Sequence, residues 1–100
     1  MELKVDEIFT FKLNSGEEIV AKVVDVSLPH VTITEPVSIG PSSGGGLGLV
    51  PSMFTYNTRG NVKLNTDNVC LFAETDENVR SKYIEATTGL KVPDKKVILG

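Results

Sequence analysis

From Phe9 to Ile39, apolar and polar positions alternate in short runs divided by turn residues, the pattern of consecutive antiparallel strands. Phe9, Phe11 and Leu13 alternate with Thr10, Lys12 and Asn14, a period of two that puts two aromatics and a leucine on one face of a half-buried strand. Asn14, Ser15 and Gly16 then supply a tight turn, because Asn and Gly accept the positive φ that hairpins need, and Glu17 and Glu18 keep its exit in water. In the next strand, Ile19 to Val26, the apolar residues Ile19, Ala21 and Val23 point one way and Val20, Val24 and Val26 the other. A strand apolar on both faces must bury both, so it is expected to bend through the middle of a small barrel or to face another subunit as well. Ser27 to His30 break the pattern, since Pro29 has no amide hydrogen to give a ladder. Val31, Ile33, Val37 and Ile39 mark a third strand with Thr32 and Thr34 opposite, and Pro36 within it predicts an edge or a bulge that lets the strand curve.

Gly40 to Gly46 read as a loop, and no Gly-Lys-Ser/Thr follows that would turn its glycines into a phosphate cradle. Strand character resumes at Leu47, Leu49 and Val50 and is expected to continue through Met53, Phe54 and Tyr56. Asn57 to Asn61 predict a turn, Val62 to Leu64 a short strand, and Asn65 to Asn68 a second pause. Val69 to Ala73, apolar throughout, is expected to be well buried, with Cys70 an inert small side chain within it. Thr75 or Asp76 caps a helix with Glu77 in its first turn, and Val79, Tyr83, Ala86 and Leu90, widened by Ile84, form its apolar stripe. Gly89 is the expected stop, with Leu90 folding back on the last turn, and the helix is expected to pack across an open end of the barrel. Beyond it, Pro93 and Asp94-Lys95-Lys96 precede Val97-Ile98-Leu99, an apolar tail suited to adding a strand or pairing with a neighbour.

The expected architecture is mainly β: one domain over residues 1–100, with a small, five-stranded, strongly bent antiparallel barrel over about 7–74, one C-terminal helix over about 76–88, and a tail over 91–100. Ten basic against thirteen acidic residues leave a net charge of −3, which argues against a dominant basic surface for nucleic acid. No apolar run is long enough to span a bilayer and the chain does not open like a signal peptide, so no membrane partner and a cytoplasmic location are expected. The single cysteine excludes an internal disulfide and a cysteine-based zinc site, and the single histidine has no suitably spaced carboxylates, so neither metal nor cofactor is expected.

The order of features resembles an Sm-like (LSm) domain, also SH3-like in its barrel, in the divergent form carried by tailed phages of marine bacteria; for a phage protein the expected location is the host cytoplasm. Leu13, Gly16, Ile19, Ala21 and Val23 match the opening of the family's first motif, with Ala21 where glycine is preferred. Ser27 stands where Asp is expected, and His30 and Thr32 fall on the stacking and hydrogen-bonding positions. In the second motif, Leu64 to Val69 fit the strand order better than Arg59-Gly60-Asn61, which puts Asn65 and Thr66 where the family has Arg and Gly. The family's helix before the first strand is replaced by one after the last.

This resemblance implies a homo-oligomeric ring in which the fourth strand of one subunit meets the fifth of the next. It also implies single-stranded RNA binding or RNA-chaperone work at the pore, with His30 stacking on a base, Thr32, Asn65 and Thr66 at its edge, and Arg59 and Lys63 on phosphates. The alternative is a structural or protein-recruiting ring without nucleic acid, which the acidic balance, the missing arginine and the apolar tail favour. Catalysis is not expected, because no carboxylate pair, activated nucleophile or oriented histidine is placed by a recognisable motif.

Overall fold

The computed structural model describes residues 2–41 and 44–88. Six strands and one helix follow in order: β1 (Ile8–Leu13), β2 (Glu18–Ser27), β3 (His30–Pro41), β4 (Leu47–Pro51), β5 (Val62–Asn65), β6 (Val69–Glu74) and α1 (Glu77–Thr88). A single 3-10 turn, Thr66–Asn68, joins β5 to β6. All pairings are antiparallel, in the order β4-β3-β2-β1-β6, with β5 also on β3. The result is the mainly β fold expected from the alternation, a strongly bent antiparallel sheet with one C-terminal helix. The sheet does not close on itself, so it approximates a barrel.

Its core is built from the inward positions of three strands: Phe9 and Phe11 of β1, Ile19, Ala21 and Val23 of β2, and Val31 and Ile33 of β3. Leu13, Val26, Val62, Leu64 and Val69 pack at its margin. Gly16 turns β1 into β2 at φ +96°, where a Cβ would be strained, and its amide donates to the Leu13 carbonyl at 2.9 Å.

Strong bending has a visible cause in β3. Val20 pairs with Val37 but Lys22 with Thr34, so two steps on β2 span three on β3, and Glu35 takes φ +51° to absorb the extra residue beside Pro36. This is the bulge that Pro36 predicts. A second irregularity, between Val23 and Asp25, increases the curvature of β2.

The helix uses the first bulge as its seat. Asp76 is the residue that caps it, with Oδ2 accepting from the amides of Asn78 (3.0 Å) and Val79 (3.2 Å). Its start is tied to the outer face of β1 through the Thr10 and Thr75 hydroxyls, 2.9 Å apart. Tyr83, one residue of the predicted stripe, is buried; its hydroxyl accepts from the Lys22 amide (3.2 Å) and donates to the Thr34 carbonyl (3.0 Å). Thus α1 lies over the outer face of β1 to β3, anchored at the bulge, where the sequence suggested an open barrel end. Val20, on that same outer face of β2, and Tyr83 are both buried outside the main core cluster. Coverage of the second apolar face of β2 therefore comes from within the chain.

Three expectations are corrected. The fourth strand does not run on from Leu47 through Tyr56: β4 stops at Pro51, paired with Val37 to Pro41, and the separate short strand expected at Val62 is β5, paired with His30 to Ile33, so the two lie end to end along one flank of β3. Gly40 and Pro41 are strand residues opposite Gly48 and Leu47, which shortens the predicted loop. The apolar β6 is not well buried: Leu71 is 64% exposed, Phe72 36%, and Cys70 is exposed too. The reason is position, since among the described residues β6 ends the strand order with only β1 beside it, and hydrophobicity along the strand meets no covering strand on its far side there. Cys70 is also the extra residue at the irregularity between Lys12 and Leu13, which takes it out of the ladder. The predicted helix stop at Gly89-Leu90 and the tail 91–100 lie outside the described residues.

Candidate functional site

Pairing of β3 with β5 decides where the candidate residues go. His30 is the partner of Asn65 and Thr32 of Lys63, while the residues between and beyond them, Val31, Ile33, Val62 and Leu64, point into the core or its margin. Strand alternation therefore puts His30, Thr32, Lys63 and Asn65 together on the outward face. On the other side of β3, Ser27 pairs with His30 and Asp25 with Thr32. The face thus consists of two cross-strand rows, Ser27–His30–Asn65 and Asp25–Thr32–Lys63. His30, Lys63 and Asn65 are exposed and Thr32 is half-buried.

Not every polar atom in this group faces outward for a ligand. Asn65 Oδ1 accepts from the Asp67 amide at 2.9 Å, capping the 3-10 turn. Thr66 gives both its amide (2.8 Å) and its hydroxyl (2.9 Å) to the Pro29 carbonyl, fastening that turn to the β2–β3 connection. Asn14 joins from the first hairpin, its side-chain amide donating to the Asp67 carbonyl at 3.0 Å and its backbone amide to Asn68 at 2.7 Å. Three turns distant in sequence are thereby tied together by hydrogen bonds beside His30. Arg59 is not drawn into the face by pairing: it sits in the Asn57–Gly60 turn before β5, where its amide donates to Asn57 Oδ1 at 3.0 Å.

The charge on the face is mixed. Lys63 lies in the row that also holds Asp25, whose carboxylate accepts from the Ser27 hydroxyl at 2.7 Å, and Asp67 is exposed in the adjoining turn. Among the described residues no group of three or more His, Cys, Asp or Glu side chains is placed to hold a metal ion, and no helix is long and apolar enough to cross a membrane.

Two surfaces were not visible as such in the sequence. One is the outer edge of β6 with Leu71 and Phe72, whose signal, an apolar run without alternation, reads equally as a buried strand. The other is an apolar groove of about 430 Å³ between the β3 bulge, β4, the 52–58 loop and the last turn of α1. Tyr56 and Glu35 both line it; burial, and secondarily the Glu35 carboxylate, push the Tyr56 phenol above its ordinary value. No protein-family model matches this chain, and no curated protein matches it.

Proposed function

We propose that this chain is a ring-forming, Sm-like binding module, not an enzyme, whose copies join edge to edge and display the His30 face once per subunit to single-stranded RNA. The observation that carries the reading is β6: an edge strand with Leu71 64% exposed and no neighbour on its far side among the described residues. Soluble proteins blunt such edges with charge or cover them, and this one carries a single charge, Glu74 at its end, with no lysine or proline. The flank formed by β4 and β5 offers a complementary row of backbone groups, so β6 of one copy meets the β4–β5 flank of the next. Such a contact is heterologous, and it forms a closed ring when the rotation between copies closes.

On the repeated face the imidazole of His30 stacks on a base, the Thr32 hydroxyl bonds to its edge, and Lys63 meets a phosphate. Asn65 and Thr66 hold the turn beneath, and Arg59 approaches from the preceding loop. Light scattering should show a multimer that Leu71→Lys converts to a monomer with unchanged circular dichroism. A monomeric unaltered protein at micromolar concentration would refute the assembly. Anisotropy with oligo-U and oligo-A at low salt should show binding lost in His30→Ala, and Lys63→Ala should lower the salt slope by about 1.

A second reading, a protein-recruiting ring without nucleic acid, is favoured by Asp25 and Asp67 beside Lys63. It is the conclusion to draw if the multimer forms yet binds neither oligonucleotide at low salt.

A further inference from the structure

The groove behind β4 is large, apolar and open. Pro36 and Val37 of the β3 strand, Val50 of β4, and Met53 and Phe54 of the following loop form its walls on one side, and Ala86 and Thr87 of α1 on the other. Three of these side chains are well exposed: Val50 at 51%, Met53 at 40% and Phe54 at 84%. An apolar patch of this kind on a small domain marks a surface that something covers. Glu35 is the charged residue in its lining.

We propose that the occupant is the chain's own C-terminal segment, Val97-Ile98-Leu99, delivered with Lys95 and Lys96 toward Glu35. The exit of the chain argues for it. Helix α1 forms one wall with Ala86 and Thr87, so the segment after Thr88 departs from the rim of the groove itself. Val97 lies nine positions after Thr88, a reach of roughly 30 Å when extended, against a longest molecular dimension of 38 Å. Reach is therefore ample, and Pro93-Asp94 supplies a turn sequence along the way. Tethering also raises the local concentration of the segment to about the millimolar range, which favours it over a free competitor of similar composition. Charge agrees: Lys91, Lys95 and Lys96 against Asp94 give the segment a positive balance, opposite to Glu35. This proposal does not rest on RNA binding or on β6, since neither the His30 face nor β6 lines the groove; β4, which does, also belongs to the flank assigned to the next copy, so the tryptophan readout and the oligomeric state are measured separately.

The protein has no tryptophan, so Phe54→Trp in the full chain places a single reporter at the groove. Its emission should be blue-shifted and shielded from iodide, and adding Ile98→Ser with Leu99→Ser should shift it to the red and raise quenching, with circular dichroism unchanged. Equal emission and quenching in the two proteins would overturn the proposal. So would shielding that disappears on dilution, which would assign the groove to a second copy. A readout on the native side chains backs this up: in a protein that keeps Phe54, the same two serine substitutions should lower the pH at which Tyr56 ionises, and an unmoved Tyr56 titration would count against the docking.

Discussion

Tyr83→Phe isolates one atom on which the attachment of the helix turns. The Tyr83 hydroxyl stands where the β2–β3 ladder is opened by the bulge, taking the Lys22 amide at 3.2 Å and giving its proton to the Thr34 carbonyl at 3.0 Å. Phenylalanine keeps the ring and its burial but leaves both backbone groups without that partner. Each buried group left unsatisfied costs roughly 1–3 kcal/mol, and because this site is only partly buried the low end applies to each, giving about 2 kcal/mol in all. In a domain of this size a loss of that magnitude lowers the melting temperature by roughly 8–16 °C, at about 4–8 °C per kcal/mol.

Urea unfolding followed by circular dichroism measures the loss, and an unchanged dependence on denaturant shows that the folded and unfolded states are otherwise alike. A second arm uses pH. Burial, the largest cause, raises the Tyr83 phenol well above its ordinary value of 10.0, so the folded chain holds that proton more tightly than the unfolded chain does. The stability this provides is fully present below pH 10 and is lost as pH rises toward the folded value, at about 1.4 kcal/mol per pH unit. The gap between wild type and Tyr83→Phe should therefore be constant below pH 10 and shrink above it. A variant within about 0.5 kcal/mol of wild type at neutral pH would show that the hydroxyl does not bridge the bulge, and a gap that ignores alkaline pH would show that burial does not hold its proton.

Asp76→Ala should cost about 1 kcal/mol by removing the carboxylate that accepts from Asn78 and Val79, read as a lower urea midpoint, with Asp76→Asn recovering most of it. Glu35→Gln should lower the pKa of Tyr56 by removing the nearby negative charge, yet leave it above the ordinary phenol value because burial is the larger cause; ultraviolet titration of the phenols reports both. Asn65→Ala should cost about 1 kcal/mol by releasing the Asp67 amide, and in anisotropy it should weaken RNA binding less than His30→Ala does, because its Oδ1 serves the turn.

Strand alternation and turn chemistry are short-range properties, and they were legible residue by residue. Phe9 and Phe11 alternating with Thr10 and Lys12, the Asn14-Ser15-Gly16 turn, the bulge beside Pro36 and the stripe through Tyr83 all follow from periodicity and allowed φ. The sequence by itself therefore determined the fold class, the inward positions Phe9, Phe11, Ile19, Ala21, Val23, Val31 and Ile33, and the existence of the C-terminal helix; Val26, expected on the outer face with Val20, is turned against the core by the irregularity between Val23 and Asp25. What lies beside a strand is a long-range property that only the tertiary structure decided. Hydrophobicity in Val69 to Ala73 cannot say whether a covering layer is present, and here β6 is an edge with Leu71 and Phe72 partly in water. Likewise nothing local places His30 opposite Asn65, Thr32 opposite Lys63, or a tyrosine hydroxyl between Lys22 and Thr34. Those juxtapositions arise from register between segments tens of residues apart, set by how the bent sheet fills its core, and they are what turn separate polar residues into one surface.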